Sequence, residues 1–351
     1  MIKIEDKKIG GSNPTYFIAD AAANHDGDLE RAKHLCLLAK ESGADAVKFQ
    51  HFNANSFVSD TGFKSLSGKQ SHQVNWKKSV YEVYADASLP LFWTKELKDY
   101  CNKIGITFFS SPYGLDMIEH LDEYVPAWKI GSGDVNYNVQ LEAIAKTGKP
   151  VMLSTGASSL EEVINAVSVL EKHTDKIILM QCNTNYTGND ENFDYIHLNV
   201  LQTYKEMFPN VIIGLSDHTH GCVTVLGSVS LGARVIEKHF TDNIDRDGPD
   251  HTFSMTPKSW KEMVDNTRIL ERSLGHFTKE VQDNEKETVI VQRRALYTKQ
   301  DIESGTRIED SMLEAKRPCL TNSVNINHNF DNVITNKFIP KDTCIKWNDI
   351  E

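Results

Sequence analysis

The chain has 351 residues and a formal net charge of −11, so no basic surplus exists to neutralise a phosphate backbone, and nucleic acid is excluded as a bulk partner. An anionic small molecule needs only a few placed lysines and stays open. No apolar run approaches the roughly 20 residues of a membrane span, the start MIKIEDKKIGG lacks the apolar centre of a secretory leader, and the cysteines (Cys36, Cys101, Cys182, Cys222, Cys319, Cys344) are scattered with no CxxC pair.

Free thiols in a reducing compartment follow from that scatter, so the expectation is a soluble, cytoplasmic protein with no membrane partner. From Tyr16 to about Gly275, short apolar runs alternate with longer helical stretches. The runs are YFIAD (16–20), AVKFQ (46–50), ITFFS (106–110), AWKIGS (127–132), VMLST (151–155), KIILMQC (176–182), VIIGLSD (211–217) and RVIEKHF (234–240). Between them, stretches such as 29–43 and 159–173 carry 3.6-residue periodicity. Gly43, Gly105 and Gly148 stand where C-caps belong, and Ser159 with Glu162 fits a capping box. Eight strand–helix units in order predict an α/β fold, a (β/α)8 TIM barrel over residues 1–275. An open doubly wound sheet would use fewer units and a Gly-rich first turn, and ADAAANHDG is not GxGxxG.

The insertion at 51–92 bears Trp76, Tyr81, Tyr84 and Phe92, with Trp93 just beyond. It reads either as a lid over the barrel mouth or as a helical extension packed on the barrel. Residues 276–292, HFTKEVQDNEKETVIVQ, read as a charged linker. Residues 293–351 read as a small separate β-rich domain with an internal repeat, Ile302-x-x-Gly-Thr306-x-Ile308 recurring as Ile339-x-x-Asp-Thr343-x-Ile345. Two such units bury little alone, so the domain is expected to pack on something. Covering the barrel mouth of another subunit would meet that need.

Catalytic groups in such barrels come from the carboxyl ends of several strands. In chain order these ends offer Asp20 with Asn24-His25, Lys48 and Gln50, Ser110-Ser111, then Lys129, Ser132 and Asp134. Ser154-Thr155 follows, then Asn183 to Tyr186, then Ser216, Asp217, His218, Glu237, Lys238 and His239. Lysines with small hydroxyls suit a phosphate or carboxylate. Lys48 interrupts an apolar run where a solvated lysine would be out of place. Each signal has a plainer reading: STG is common turn material, Asn24-His25 could cap the first helix, and Asp217 could merely orient His218 or bond the backbone. His218 and His239 lie one strand–helix–strand step apart, with the acidic turn DGPD just beyond. Either alone reads as a satisfied interior histidine; together, at equivalent strand ends, they read as a divalent metal pair.

The ordered motifs IADAAANHDG, GADAVKFQ, FFSSPY, PAWKIGSGD, GKPVMLSTG, GLSDHT, VIEKHFT and GPDH resemble the sialic acid synthase family. Those enzymes condense phosphoenolpyruvate with an N-acylated amino sugar. RRALYTKQDI and AKRP resemble the antifreeze-like (SAF) domain that follows the barrel there, so the likeness spans essentially the whole chain. It implies His218 and His239 as ligands of a divalent metal, typically Mn²⁺, with Mg²⁺ or Co²⁺ as alternatives. It implies Lys48, Ser111, Lys129, Ser132, Ser154 and Ser216 as the phosphoenolpyruvate cradle. Gln50, Tyr186 and Asp250 are expected on the acceptor sugar, and Arg317 is expected to reach from the neighbouring subunit of a domain-swapped homodimer. Asp20, Asp134 and Lys129 are the catalytic candidates.

Asp20 and Asp134 stand where glutamate is usual, and Thr184 where asparagine is common. A carboxylate one C–C bond shorter, about 1.5 Å, predicts an acceptor other than N-acetylmannosamine, of the legionaminic or pseudaminic type. Competing readings are a 3-deoxy-ulosonic acid synthase for a phosphorylated sugar, which needs a second basic pocket, and a non-catalytic carbohydrate-binding or ice-binding protein.

Overall fold

A computed structural model describes residues 1–66, 73 and 76–351. It forms two compact units, Met1–Gly275 and His276–Glu351. The first begins with an antiparallel hairpin, β1 (Ile2–Ile4) and β2 (Lys7–Ile9). Then come the barrel strands: β3 (Tyr16–Asp20), β4 (Ala46–His51), β5 (Thr107–Pro112), β6 (Trp128–Ile130), β7 (Val151–Ser154), β8 (Ile177–Cys182), β9 (Ile212–Asp217) and β10 (Val235–His239). Their ladder runs β5-β4-β3-β10-β9-β8-β7-β6, all parallel, and its two end strands lie against each other to near-close the barrel. Every apolar run expected to be a strand is one. The strand at 127–132 is the shortest, because Ser132–Asp134 turns into a 3₁₀ helix.

Period-two alternation sorts each strand into two layers. Phe17, Val47, Phe108, Leu153, Leu215 and Ile236 face outward against the helices. Tyr16, Ile18, Ala46, Phe109, Met152, Ile178 and Val235 fill the interior, joined by Ile2, Ile4 and Ile9 of the hairpin. The hairpin, which the sequence reading passed over, thus plugs the amino end of the barrel. Helix ends follow local chemistry. Ser159 and Glu162 form a reciprocal capping box, and Gly43, Gly105 and Gly148 all take positive φ. The first barrel helix (Leu29–Glu41) is capped by Asp28, not by Asn24-His25.

The insertion supplies helices at Ala54–Phe57, Asp60–Ser65 and Val80–Ala87. Within the second unit, Lys286–Gln292 is helical, and β11 (Ala295–Thr298) pairs antiparallel with β12 (Leu313–Lys316). The internal repeat is a pseudo-two-fold. Ile302 and Ile339 exchange backbone hydrogen bonds of 2.8 Å each way. Thr335 Oγ1 donates to the Glu303 carbonyl, and Thr298 Oγ1 donates to the Pro340 carbonyl, both at 2.6 Å. Gly305 and Asp342 take the equivalent left-handed turn positions, φ +78° and +59°.

Candidate active site

The inward alternation that places Ala46 and Val235 in the interior also turns Lys48, Gln50, Glu237 and His239 toward the carboxyl mouth. Strand register sets them side by side: His239 lies opposite Asp20, and Asp20 opposite Lys48. Lys48 Nζ sits 2.7 Å from Asp20 Oδ2 and 3.7 Å from Glu237 Oε1, while Lys129 Nζ lies 3.2 Å from the same Glu237 oxygen. All four are buried. Burial pulls the Lys48 ammonium down, but Asp20 and Glu237 more than offset it, so its pKa is raised. For Lys129 burial wins, aided by repulsion from Lys48, and its pKa is lowered despite Glu237. Small hydroxyls ring the lysines. Lys48 donates to Ser111 Oγ at 3.3 Å, Ser216 Oγ donates to Glu237 Oε1 at 3.4 Å, and Ser154 Oγ is buried with no partner.

His218 and His239 converge, with ring centroids 5.3 Å apart. Two rings sharing one ion at about 2.1 Å from each nitrogen span a separation of this order. His218 Nδ1 meets the Asn183 carbonyl at 2.7 Å, so Nδ1–H donates there and Nε2 keeps its lone pair. His239 Nδ1 is buried without a partner, and its Nε2 lies 3.6 Å from Asp20 Oδ2. Burial, with help from His218 and Lys48, holds His239 well below the usual imidazole range and therefore neutral. Burial also lowers His218, but the Cys182 thiol beside it outweighs this and raises it. Among the described residues no group of three or more His, Cys, Asp or Glu is arranged for a metal. The pair therefore fits an open site completed by substrate and water, not a closed structural one.

Above the floor lies a cavity of about 220 Å³. One wall carries Gln50, Ser132, Tyr186, His239 and Asp250; the other carries Phe52, Phe57, Trp76, Tyr84 and Tyr113. The second wall comes largely from the insertion, whose helical packing therefore shapes the site. Tyr186 packs on His218, with centroids 4.2 Å apart. Asp250 Oδ2 accepts from the Ala23 amide at 3.2 Å. Burial, reinforced by nearby Asp20, pushes the Asp250 carboxyl up to about 6. Asp134 Oδ2 accepts from Gln140 Nε2 at 3.2 Å, and burial raises its pKa as well. Ser132 Oγ accepts from the Gly156 amide at 2.9 Å. Asp20, Lys48, Gln50, Ser111, Lys129, Ser132, Asp134, Ser154, Tyr186, Ser216, His218, His239 and Asp250 thus all belong to one mouth. Arg317 is exposed on the second unit.

Several polar strand ends face the other way. Lys238 and Asp217 form a buried ion pair at 2.5 Å, with Thr219 and Thr224 also donating to the carboxylate. Ser110 bonds His51, and Asn24 donates to the Phe240 carbonyl and to Ser254. The residue most underrated by the sequence reading is Glu237, which touches both lysines. Its signal was parity: it stands two residues before His239 and shares its face. Cys182 was also missed, and the same alternation on β8 turns it inward.

A near-closed parallel barrel with lysines, imidazoles and carboxylates gathered at its carboxyl mouth is built as enzyme barrels are. The chain belongs to the NeuB family, whose model matches residues 35–279, and residues 293–351 match the SAF domain. It is 36% identical to the N,N'-diacetyllegionaminic acid synthase of Campylobacter jejuni, over 87% of this chain and 90% of that one. It is 32% identical to the human N-acetylneuraminate-9-phosphate synthase, over 88% and 84% respectively. The crystal structure of the N-acetylneuraminic acid synthetase from Leptospira borgpetersenii superposes with a TM-score of 0.71 at 31% identity, covering 82% of this chain and 94% of that one.

Proposed function

We propose that this protein is a carbon–carbon bond-forming transferase, a nonulosonic acid synthase. It condenses phosphoenolpyruvate with the aldehyde of an open-chain N-acylated amino sugar, N-acetylmannosamine or a 2,4-diacetamido-trideoxyhexose, and releases phosphate. A bond forms from C3 of phosphoenolpyruvate to the aldehyde carbon, whose oxygen takes up a proton. Water adds at C2 and loses its protons as the C2–O bond to phosphate breaks, leaving the 2-keto acid.

The observation that carries this reading is the convergence of Lys48 and Lys129 on a buried floor beside the imidazole pair. The lysines balance the phosphate and carboxylate, and Ser111, Ser132, Ser154 and Ser216 add directed donors with little bulk. Asp20 and Asp134 handle protons in this reading. Tyr186, Gln50 and Asp250 hold the acceptor hydroxyls. His218 and His239 would hold a divalent cation, Mn²⁺ by preference, which when bound supplies Lewis-acid polarisation of the acceptor aldehyde.

An unphosphorylated acceptor is favoured because the proposed acceptor wall, Gln50, Ser132, Tyr186 and Asp250, carries no lysine or arginine, and Lys77 and Lys78 beside the cavity are exposed and already paired with Asp247 and Asp86. Arg317 of a second copy, in a domain-swapped homodimer, completes the acceptor site in this reading. Phosphate release and product mass should be followed with Mn²⁺, phosphoenolpyruvate and a panel of N-acylated amino sugars, phosphorylated and not. Turnover is expected with unphosphorylated acceptors, the diacetamido sugar ahead of N-acetylmannosamine. Release with phosphorylated acceptors alone would move the protein to the rival synthase class, and binding without release would make it a carbohydrate-binding barrel.

A further inference from the structure

The charge on the buried floor beneath the mouth is nearly self-cancelling. Lys48 already holds Asp20 at 2.7 Å, and Glu237 Oε1 lies within 3.7 Å of Lys48 and 3.2 Å of Lys129. The second Glu237 oxygen, Oε2, is buried and has no hydrogen-bond partner. A carboxylate with an unpartnered oxygen in a dry interior is costly, so its placement between two cations calls for a reason. An anion arriving at these lysines must share them with Glu237, and at such separations the interaction of unit charges is worth several kcal/mol even at an effective dielectric of about 20.

Resting on the phosphoenolpyruvate reading, we infer that Glu237 is a positioning residue that acts as an electrostatic brake. It holds Lys48 and Lys129 together in the free protein and weakens their grip on any bound anion, so that product phosphate leaves. Glu237 reaches both ammonium groups through a single oxygen, which fixes their spacing before substrate arrives. Ser216 Oγ, 3.4 Å from that oxygen, holds the carboxylate from the side.

The test is a calorimetric titration of phosphoenolpyruvate, and separately of inorganic phosphate, into wild type and Glu237→Gln, with and without Mn²⁺. The variant should bind both anions about tenfold or more tightly, a gain of about 1.4 kcal/mol, while phosphate becomes a stronger product inhibitor and kcat falls. A gain in affinity is a readout that mere damage to the floor cannot produce. Equal or weaker anion binding by a folded Glu237→Gln variant overturns the brake while leaving the synthase reading intact. Failure of phosphoenolpyruvate to bind wild type and variant alike, Mn²⁺ present, overturns both.

Discussion

At the scale of single residues, the same strand end carries two chemistries separated by the pleat. Asp217 and His218 are adjacent in sequence, yet Asp217 turns outward to Lys238, which is 1% exposed, while His218 turns to the mouth. Asp217→Ala strands a buried ammonium, so it should cost about 3–5 kcal/mol in urea unfolding, and a pair of apolar replacements at 217 and 238 should recover much of that. Asp250 behaves oppositely. Its carboxyl is raised from 3.8 to about 6 by burial first and Asp20 second, so the native state binds more protons than the unfolded chain between those values. Stability from this group is therefore lost as pH rises from about 4 to 6. Asp250→Asn keeps an acceptor for the Ala23 amide and should gain on wild type across that window, by an amount of order 2–3 kcal/mol. Melting curves at pH 4 and pH 7.5 check the sign: a margin that shrinks with rising pH contradicts it.

Among elements, the amino-terminal hairpin is an inserted plug, and its loss should be felt in stability and not in chemistry. Ile4 is 1% exposed among the barrel-floor side chains, so Ile4→Ala should cost about 2–5 kcal/mol. Below the lowered melting point KM values should be unchanged, because the carboxyl mouth lies beyond the interior layer. The strands and helix caps were legible because apolar runs of four to six residues and Ser-x-x-Glu act locally. The hairpin was not, since Ile-Lys-Ile is too short a pattern and Glu5-Asp6 is no Asn-Gly turn. The two imidazoles were legible because equivalent strand ends imply a common mouth. Glu237 and the outward turn of Lys238 needed the register of β10, which alternation supplies only once one residue of the strand has been placed. The aromatic wall depended on how the insertion folds back, a long-range outcome that no local signal carries.

For the whole molecule, the second unit sets the remaining question. Its core is two small clusters, one around Ile302, Ile308, Ile339 and Ile345 and one of Ala295, Tyr297 and Cys344, while Phe338 and Trp347 stay 47% and 48% exposed. Exposed aromatics of this kind suit a covered surface, and the proposed homodimer would provide one. The decisive measurement pairs two inactive variants, Arg317→Ala and Lys129→Ala, each carrying a different affinity tag. In a domain-swapped dimer, a hybrid holds one mouth with an intact barrel and an intact arginine from the partner subunit. A fully exchanged mixture should regain about a quarter of wild-type activity, since half the dimers are hybrids and each has one whole site. Sedimentation should place the active species at twice the 39.6 kDa of the chain. If doubly tagged hybrids are isolated and remain inactive, Arg317 does not cross between subunits. If Arg317→Ala is fully active alone, Arg317 contributes nothing to the acceptor site.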